Sequence, residues 1–262
     1  FEKMQKYQST IEWNNVNFYS VFNSKSYKKI DWSDVNLIGF DKESLDSINW
    51  GKVKYAGKKS ITDADGFDWK DVDFYQVFDS KAWKTISWNQ VDFTGFQAQD
   101  YSKIQWGKVA YTGKKSITES STIEWKNVNF DQIFDSKAYK KINWAKVDFS
   151  SFDEADYDSI KWSRVKFHGK KQVGYDPNIW SNIDFSQIKS QQLKKIDWSL
   201  VDYSSLTPKQ YSDIKWESVN LKYQNKKSVN YQAIDWNQLV QSDQFSAKVA
   251  KKVDWTKLED GS

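Results

Sequence analysis

Apolar residues come in closely spaced pairs along this chain. Ile11 and Trp13 stand two apart, as do Val16 and Phe18, with Asn14-Asn15 between the pairs. The pattern returns as Ile30-x-Trp32-x-x-Val35-x-Leu37 and as Ile48-x-Trp50-x-x-Val53-x-Tyr55. Its tryptophans continue through Trp69, Trp88, Trp106, Trp125, Trp144, Trp162, Trp180, Trp198, Trp216, Trp236 and Trp255, spaced 18 to 20 residues apart. A fixed period of this size marks a repeat array. Residues two apart on an extended chain share a face, and the five-residue offset between the two pairs matches no helical period. The pattern therefore predicts two short strands joined by a corner, with Ile, Trp, Val and Phe columns facing inward. The polar residue inside each pair, such as Asp68, Asp73 or Asp202, is expected to bond the local backbone at the corner.

The units come in three types. The first starts at Val16, Val72 and Val128, the second at Val35, Val91 and Val147, and the third at Val53, Val109 and Val165, so each type recurs every 56 residues. A fourth triplet, from about Ile183, is degenerate. Asp79–Ile86 and Thr207–Ile214 carry a cap residue followed by an aromatic and an Ile three apart, and Thr207-Pro208 is a helix-start signal; one to two helical turns are expected in these segments. Third-type units carry Ser60-Ile61-Thr62 or Ser116-Ile117-Thr118 instead and are expected to pass as strand or loop. Pro177-Asn178, where an Ile should stand, predicts a kink or loop.

The ten residues Ile196-Asp197-Trp198-Ser199-Leu200-Val201-Asp202-Tyr203-Ser204-Ser205 divide into two tandem five-residue units. Each runs aliphatic, Asp, large apolar, then two further residues. This resembles the pentapeptide-repeat proteins, and the resemblance, over about half of each coil, implies a right-handed β-solenoid. The chain departs from that family in its Ile or Val where a small residue is usual, in its central tryptophans, and in coils of 18–19 residues. The expected fold is thus a repeat solenoid of mixed β/α coils, each with two short strands plus a short helix or loop. It forms a single array over residues 1–262. The chain opens at Phe1 partway through a repeat, so it is expected to belong to a longer chain or assembly, with residues 1–10 the tail of a third-type unit and Gly261-Ser262 native or a remnant.

Composition narrows the function. Aromatic residues make up 17% of the chain, which points to a folded protein. The net charge of +4, from 39 basic and 35 acidic residues, is too balanced to imply nucleic acid. There is no cysteine for disulfides or thiolate metal sites, and no apolar run long enough to span a membrane. His168 is the only histidine and occupies the slot of Ala56 and Thr112. Glu154 and Asp156 read as a polar helix start. Asp79, Asp135 and Asp63-Ala64-Asp65-Gly66 lack the dense oxygen cluster that calcium needs. No residue is assigned a catalytic, cofactor-binding or metal-binding role, and an enzyme is not expected.

The tryptophans read as a buried stack, each indole N–H seeking a carbonyl of the adjacent coil. What varies on the triplet is a set of lysine pairs: Lys58 and Lys59, Lys114 and Lys115, Lys170 and Lys171, Lys226 and Lys227. The first three follow a glycine, suited to a turn with φ > 0. At the strand spacing of about 4.7–4.9 Å, pairs three coils apart would form a basic row with a pitch of about 14–15 Å. The leading expectation is a structural module of a cell-surface, extracellular or filament-forming protein that assembles with itself end to end through unpaired strand edges. The alternatives are a binding module for an anionic polysaccharide or surface, using the lysine row, and a protein-interaction scaffold.

Overall fold

A computed structural model describes residues 11–170, 172–175 and 177–258. Residues 1–10, Lys171 and Gly261-Ser262, on which some of the expectations above fall, lie outside the described residues. The chain divides into two compact units, one on each side of the Gln132–Ile133 boundary. Both are built from short α-helices and single 3₁₀ turns.

The predicted strands do not form. Among the described residues the only β pairing is an isolated parallel bridge between Asn36 and Asp65. The residues between Trp and Val, expected as a corner, are the element itself: one-turn 3₁₀ helices run Trp13–Asn15, Trp32–Asp34, Trp69–Asp71, Trp88–Gln90, Trp162–Arg164 and Trp216–Ser218. In each, the following Val N–H donates to the Trp carbonyl, as Val16 does to Trp13 at 3.1 Å and Val219 to Trp216 at 3.0 Å. Side chains at i and i+3 eclipse in a 3₁₀ turn, so Trp and Val share a face. The extended residues flanking the turn then bring Ile and Phe to that face by their spacing of two. The columns survive with no strand, because these backbone groups are satisfied within the turn. The segment that resembles pentapeptide repeats shows it directly: its two halves are the successive turns Trp198–Leu200 and Tyr203–Ser205. The fold is a helical repeat-like arrangement and not a β-solenoid.

The expected helices form in second-type units, at Lys42–Asp46, Ala98–Ser102, Glu154–Asp158 and Pro208–Asp213, the last with Thr207 as N-cap. In first-type units the helix lies earlier than expected. It spans Phe18–Asn23 and Phe74–Asp79, capped by Asn17 and Asp73, and a 3₁₀ turn follows at Ser26–Lys29 and Ala82–Lys84. Asp79 ends its helix, and the Ser80 hydroxyl accepts from Ala82 N–H at 3.0 Å where the next turn begins. Third-type units form 3₁₀ turns at Ile61–Asp63 and Ile117–Glu119, and Pro177 begins the helix Pro177–Trp180 where a kink or loop was expected. The polar residues inside the pairs do bond the local backbone: Asp68 accepts from Lys70 N–H at 3.0 Å, and Asp202 from Ser204 N–H at 3.1 Å.

The tryptophan column from Trp13 through Trp216 is buried, Trp236 is half-buried, and Trp255 is 42% exposed. The indoles of Trp88, Trp106, Trp198, Trp216, Trp236 and Trp255 find carbonyls, but five residues back in the same segment and not in a neighbouring coil, and the buried Trp180 indole finds none. Trp106 donates to Tyr101 O at 3.1 Å, Trp198 to Leu193 O at 2.9 Å and Trp216 to Tyr211 O at 2.8 Å. Aromatic stacking continues the column, with Phe22 and Trp32 ring centroids 5.8 Å apart.

Rings one repeat apart can meet in the core, as Trp198 and Trp216 do at 6.2 Å, but the helical turns that pack on one another lie further apart in sequence. In the first unit Trp32–Asp34 packs on Ile61–Asp63, and Trp88–Gln90 on Ile117–Glu119. In the second, Pro208–Asp213 packs on Trp236–Gln241, and Ser190–Leu193 on Trp216–Ser218. The chain thus returns beside itself after about 28 residues, half of the 56-residue period. Three repeats fill two returns, which is why the units differ in type and recur as triplets.

The close approach at Gly51 follows from this packing. A Cβ there would lie 2.7 Å from the Gln76 carbonyl oxygen and 3.0 Å from Ser80 Cβ. Gly51→Ala is expected to lower stability by about 1–3 kcal/mol by pushing the helix Phe74–Asp79 outward. Thermal unfolding reads this, and an unchanged transition would show that the helix can retreat without loss.

Candidate functional site

The lysine pairs sit on loops of one design. A single backbone hydrogen bond closes each: Ile61 N–H to Lys54 O at 2.9 Å, Ile117 to Ala110 at 2.8 Å, Val173 to Lys166 at 2.8 Å and Val229 to Asn220 at 3.0 Å. The first three turn on glycines in the left-handed region, Gly57 at φ 76°, Gly113 at 83° and Gly169 at 84°. The fourth loop is two residues longer and has Asn225 in place of Gly. Its positive φ values fall on Gln224 and Lys227, and it closes all the same. Lys58, Lys59, Lys114, Lys115, Lys170, Lys226 and Lys227 are all exposed on these loops. Lys171 lies outside the described residues.

The strand spacing that set the pitch of the expected row is absent, and the lysines group differently. In the first unit the second lysine of each pair is tied down. Lys59 forms an ion pair with Asp31 at 2.9 Å, and Lys115 donates to Thr85 O at 3.1 Å. Partial burial acts to raise the Asp31 carboxyl, but the Ser33 hydroxyl and the Lys59 ammonium together hold it below its ordinary value. Lys58 and Lys114 are left with no carboxylate partner among the described residues.

The second unit gathers cations. His168 lies close enough to Lys195, Lys227 and Lys166 that they act on it electrostatically. Its imidazole is held below the ordinary value first by partial burial and then by these three ammonium groups. None of the four has a carboxylate within ion-pair distance among the described residues. His168, which sequence reasoning left as an ordinary corner residue, and Lys195, which it did not single out, thereby join the Lys170 and Lys227 loops. Only the 28-residue return makes this visible.

The other candidates have structural work. Asp153 and Asp156 form a reciprocal capping box at the start of the helix Glu154–Asp158, each side chain accepting from the other's N–H at 3.0 Å. Among the described residues no three acidic or imidazole side chains cluster as metal ligands, and no helix is long and apolar enough to cross a membrane. Asp65 contributes its carbonyl, which accepts from Leu37 N–H at 2.8 Å.

A glutamine column escaped the sequence reading. Gln76 accepts from Trp50 N–H at 3.0 Å, and Gln187 from Trp162 N–H at 3.1 Å, each tying a tryptophan to the segment one return later. Their signal was present: Gln76, Gln132 and Gln187 each stand seven residues after a column tryptophan. Comparison with known families, with curated proteins and with solved structures finds no match to this chain.

Proposed function

We propose that the chain is a structural repeat scaffold whose lysine-bearing loops engage an acidic polysaccharide. One observation carries this reading. The loop recurs in all four triplets with the same closing hydrogen bond and exposed lysines, even in the fourth, which has lost the glycine and gained two residues. A solvated corner would need neither the closure nor the lysines at that place. Fixed loops hold cations at set positions without a large ordering cost on binding, and unpaired cations attract polyanions at long range. The cell surface or extracellular space, where such polymers are met, is the setting this implies. End-to-end association rested on unpaired strand edges, and with no strand among the described residues it has lost that support.

Replacing Lys166, Lys195 and Lys227 together by Gln is expected to weaken binding to an alginate or heparin resin by roughly ten-fold. That is the order of loss when surface cations each give up a part of about 1 kcal/mol of attraction. Unchanged retention, or equal retention on an uncharged resin, would reject the reading. The pH dependence has a defined sign. His168 titrates below its ordinary value of 6.5 in the folded chain, so as pH falls through that region the unfolded state takes up the proton first and stability is lost. A bound polyanion favours the imidazolium, so retention should strengthen over the same fall in pH, and His168→Gln should abolish that strengthening.

A further inference from the structure

Two tyrosines stand outside the aromatic core. Tyr19 is 65% exposed and Tyr75 58%, against the buried phenylalanines Phe18 and Phe74 that precede them. They hold the same slot in successive copies of the first-type helix, 56 residues apart, and in the third copy that slot is Asp131. The helix Phe130–Asp135 forms with Asp131 in place, so the repeat does not need a ring at this position. The tyrosines are therefore not explained by packing.

Both line grooves, and the grooves share wall residues. A groove of about 430 Å³ runs between the helix Phe18–Asn23, the 46–52 segment and the helix Phe74–Asp79. Tyr19 and Ser47 also border a second groove of about 280 Å³, and Asp46 also borders a third of about 560 Å³, whose wall includes Tyr75. The three form a run within the first unit with an exposed tyrosine at two points along it. Amide and carboxylate partners are close by: Asn23, Asn49, Asp46 and Asp79 line the central groove. Its one lysine is engaged, with Lys52 Nζ donating to Phe22 O at 3.2 Å and lying 5.4 Å from the centre of the Tyr27 ring.

We infer that this run of grooves binds a linear, uncharged polysaccharide, with Tyr19 and Tyr75 as stacking platforms for pyranose rings. An exposed aromatic face accepts the flat C–H face of a sugar, and its amphipathic ring suits a site that is apolar on one side and wet on the other. Carboxylates and side-chain amides accept and donate to sugar hydroxyls. Lys52 keeps its charge beside Asp79, and Asp46 is paired with Lys42 at 2.6 Å, so the central groove carries little net charge, which gives no attraction for an anionic glycan and separates this site from the lysine loops. Open, adjacent grooves that share walls suit a chain that occupies several subsites.

The test uses the full chain with cellohexaose, chitohexaose and mannohexaose, followed by isothermal titration calorimetry and ligand-observed NMR. At least one hexasaccharide should bind, and more tightly than its disaccharide. Tyr19→Ala should weaken it roughly ten-fold, in keeping with the loss of one stacking platform, and Tyr75→Ala should weaken it to a similar degree. Tyr19→Phe should bind within about three-fold of the parent, because the ring is kept and only the hydroxyl is lost. Tyr19→Asp installs the residue that the third copy already carries, so its unfolding transition should match the parent while binding is lost. Absence of binding by all three hexasaccharides at millimolar concentration would overturn the inference, as would binding unmoved by Tyr19→Ala. Neither result bears on retention by an acidic resin.

Discussion

Trp106→Ala is expected to destabilise the first unit by about 3–5 kcal/mol, the range for removing a large aromatic from a closed core. Trp106 is fully buried, its ring lies 5.8 Å from Tyr101 and 6.4 Å from Phe93, and hydrogen bonds converge on it from side chain and backbone. Its indole donates to Tyr101 O at 3.1 Å, its backbone N–H to Gln132 at 2.9 Å, and its carbonyl accepts from the Tyr111 hydroxyl at 3.0 Å. Alanine keeps the two backbone bonds, so the loss measures the ring and its N–H. Trp106→Phe should cost less, about 1–3 kcal/mol, mainly from leaving the buried Tyr101 carbonyl without its donor. Trp255→Ala, at a site 42% exposed, should cost under about 1 kcal/mol. Urea unfolding followed by circular dichroism orders the three. A Trp106→Ala loss no greater than that of Trp255→Ala would show that the column does not carry the core.

The second large effect is at Gln210, a side chain only 7% exposed. The two N–H groups of its Nε2 are shared among three backbone carbonyls in the segment one return earlier, Trp180 and Ser181 at 3.0 Å and Ile183 at 3.1 Å. Its Oε1 accepts from Thr207 N–H at 2.9 Å, closing the capping box of the helix Pro208–Asp213. Gln210→Leu keeps most of the volume and removes both functions, and a loss of about 2–4 kcal/mol is expected, since buried carbonyls are left unpaired and a cap is lost. Gln210→Glu has a distinct signature. A carboxylate facing three carbonyls is unfavourable, so its folded pKa should rise above the unfolded value of about 4.3. The stability of this variant should then be greatest below that value and be lost as pH rises through the folded pKa. If Gln210→Leu unfolds like the parent, the glutamine does not tie the segments.

How much of this was legible in the chain depends on which interactions are local. The spacing of Ile11, Trp13, Val16 and Phe18 identifies one buried face, and the structure buries Trp13 and Phe18, while Ile11, where the described chain begins, is 41% exposed. Glycine before the lysine pairs signalled a left-handed turn, and Gly57, Gly113 and Gly169 adopt it. Thr207-Pro208 signalled a helix start, and the helix is there. Each of these signals is read within a few residues.

The strand reading failed at Asn14-Asn15 and its equivalents. A spacing of two, three and two is satisfied by two strands with a corner between them, and equally by one 3₁₀ turn flanked by extended residues. Both put the same side chains inside. They differ in where the backbone N–H of Val16 finds its acceptor, which the order of apolar residues does not encode. The helix expected over Asp79–Ile86 lies earlier for a related reason: the phenylalanines Phe74 and Phe78, four apart and both buried, close an α-helical face upstream of that segment.

The candidate sites divide in the same way. The lysines of the loops were legible one by one, but their company was not. Lys59 meets Asp31, Lys115 meets Thr85, and His168 meets Lys195 across a return of about 28 residues, and Lys227 across two, a spacing that the 18–20-residue tryptophan period conceals. Tyr19 and Tyr75 could be seen as variants of a helix slot, yet only the packing of helix against helix makes grooves beside them.

By itself the sequence determined the repeat, its triplet, the inward columns and the lysine-bearing turns. These follow from side-chain periodicity and backbone allowance, which act within a unit. Tertiary structure alone decided that the units are 3₁₀ turns and short helices, that the chain returns after one and a half repeats, and that Gln76, Gln187 and Gln210 tie those returns together. The reason is that a backbone polar group takes whichever partner the fold brings near, and that partner lies outside the unit in which the pattern is written.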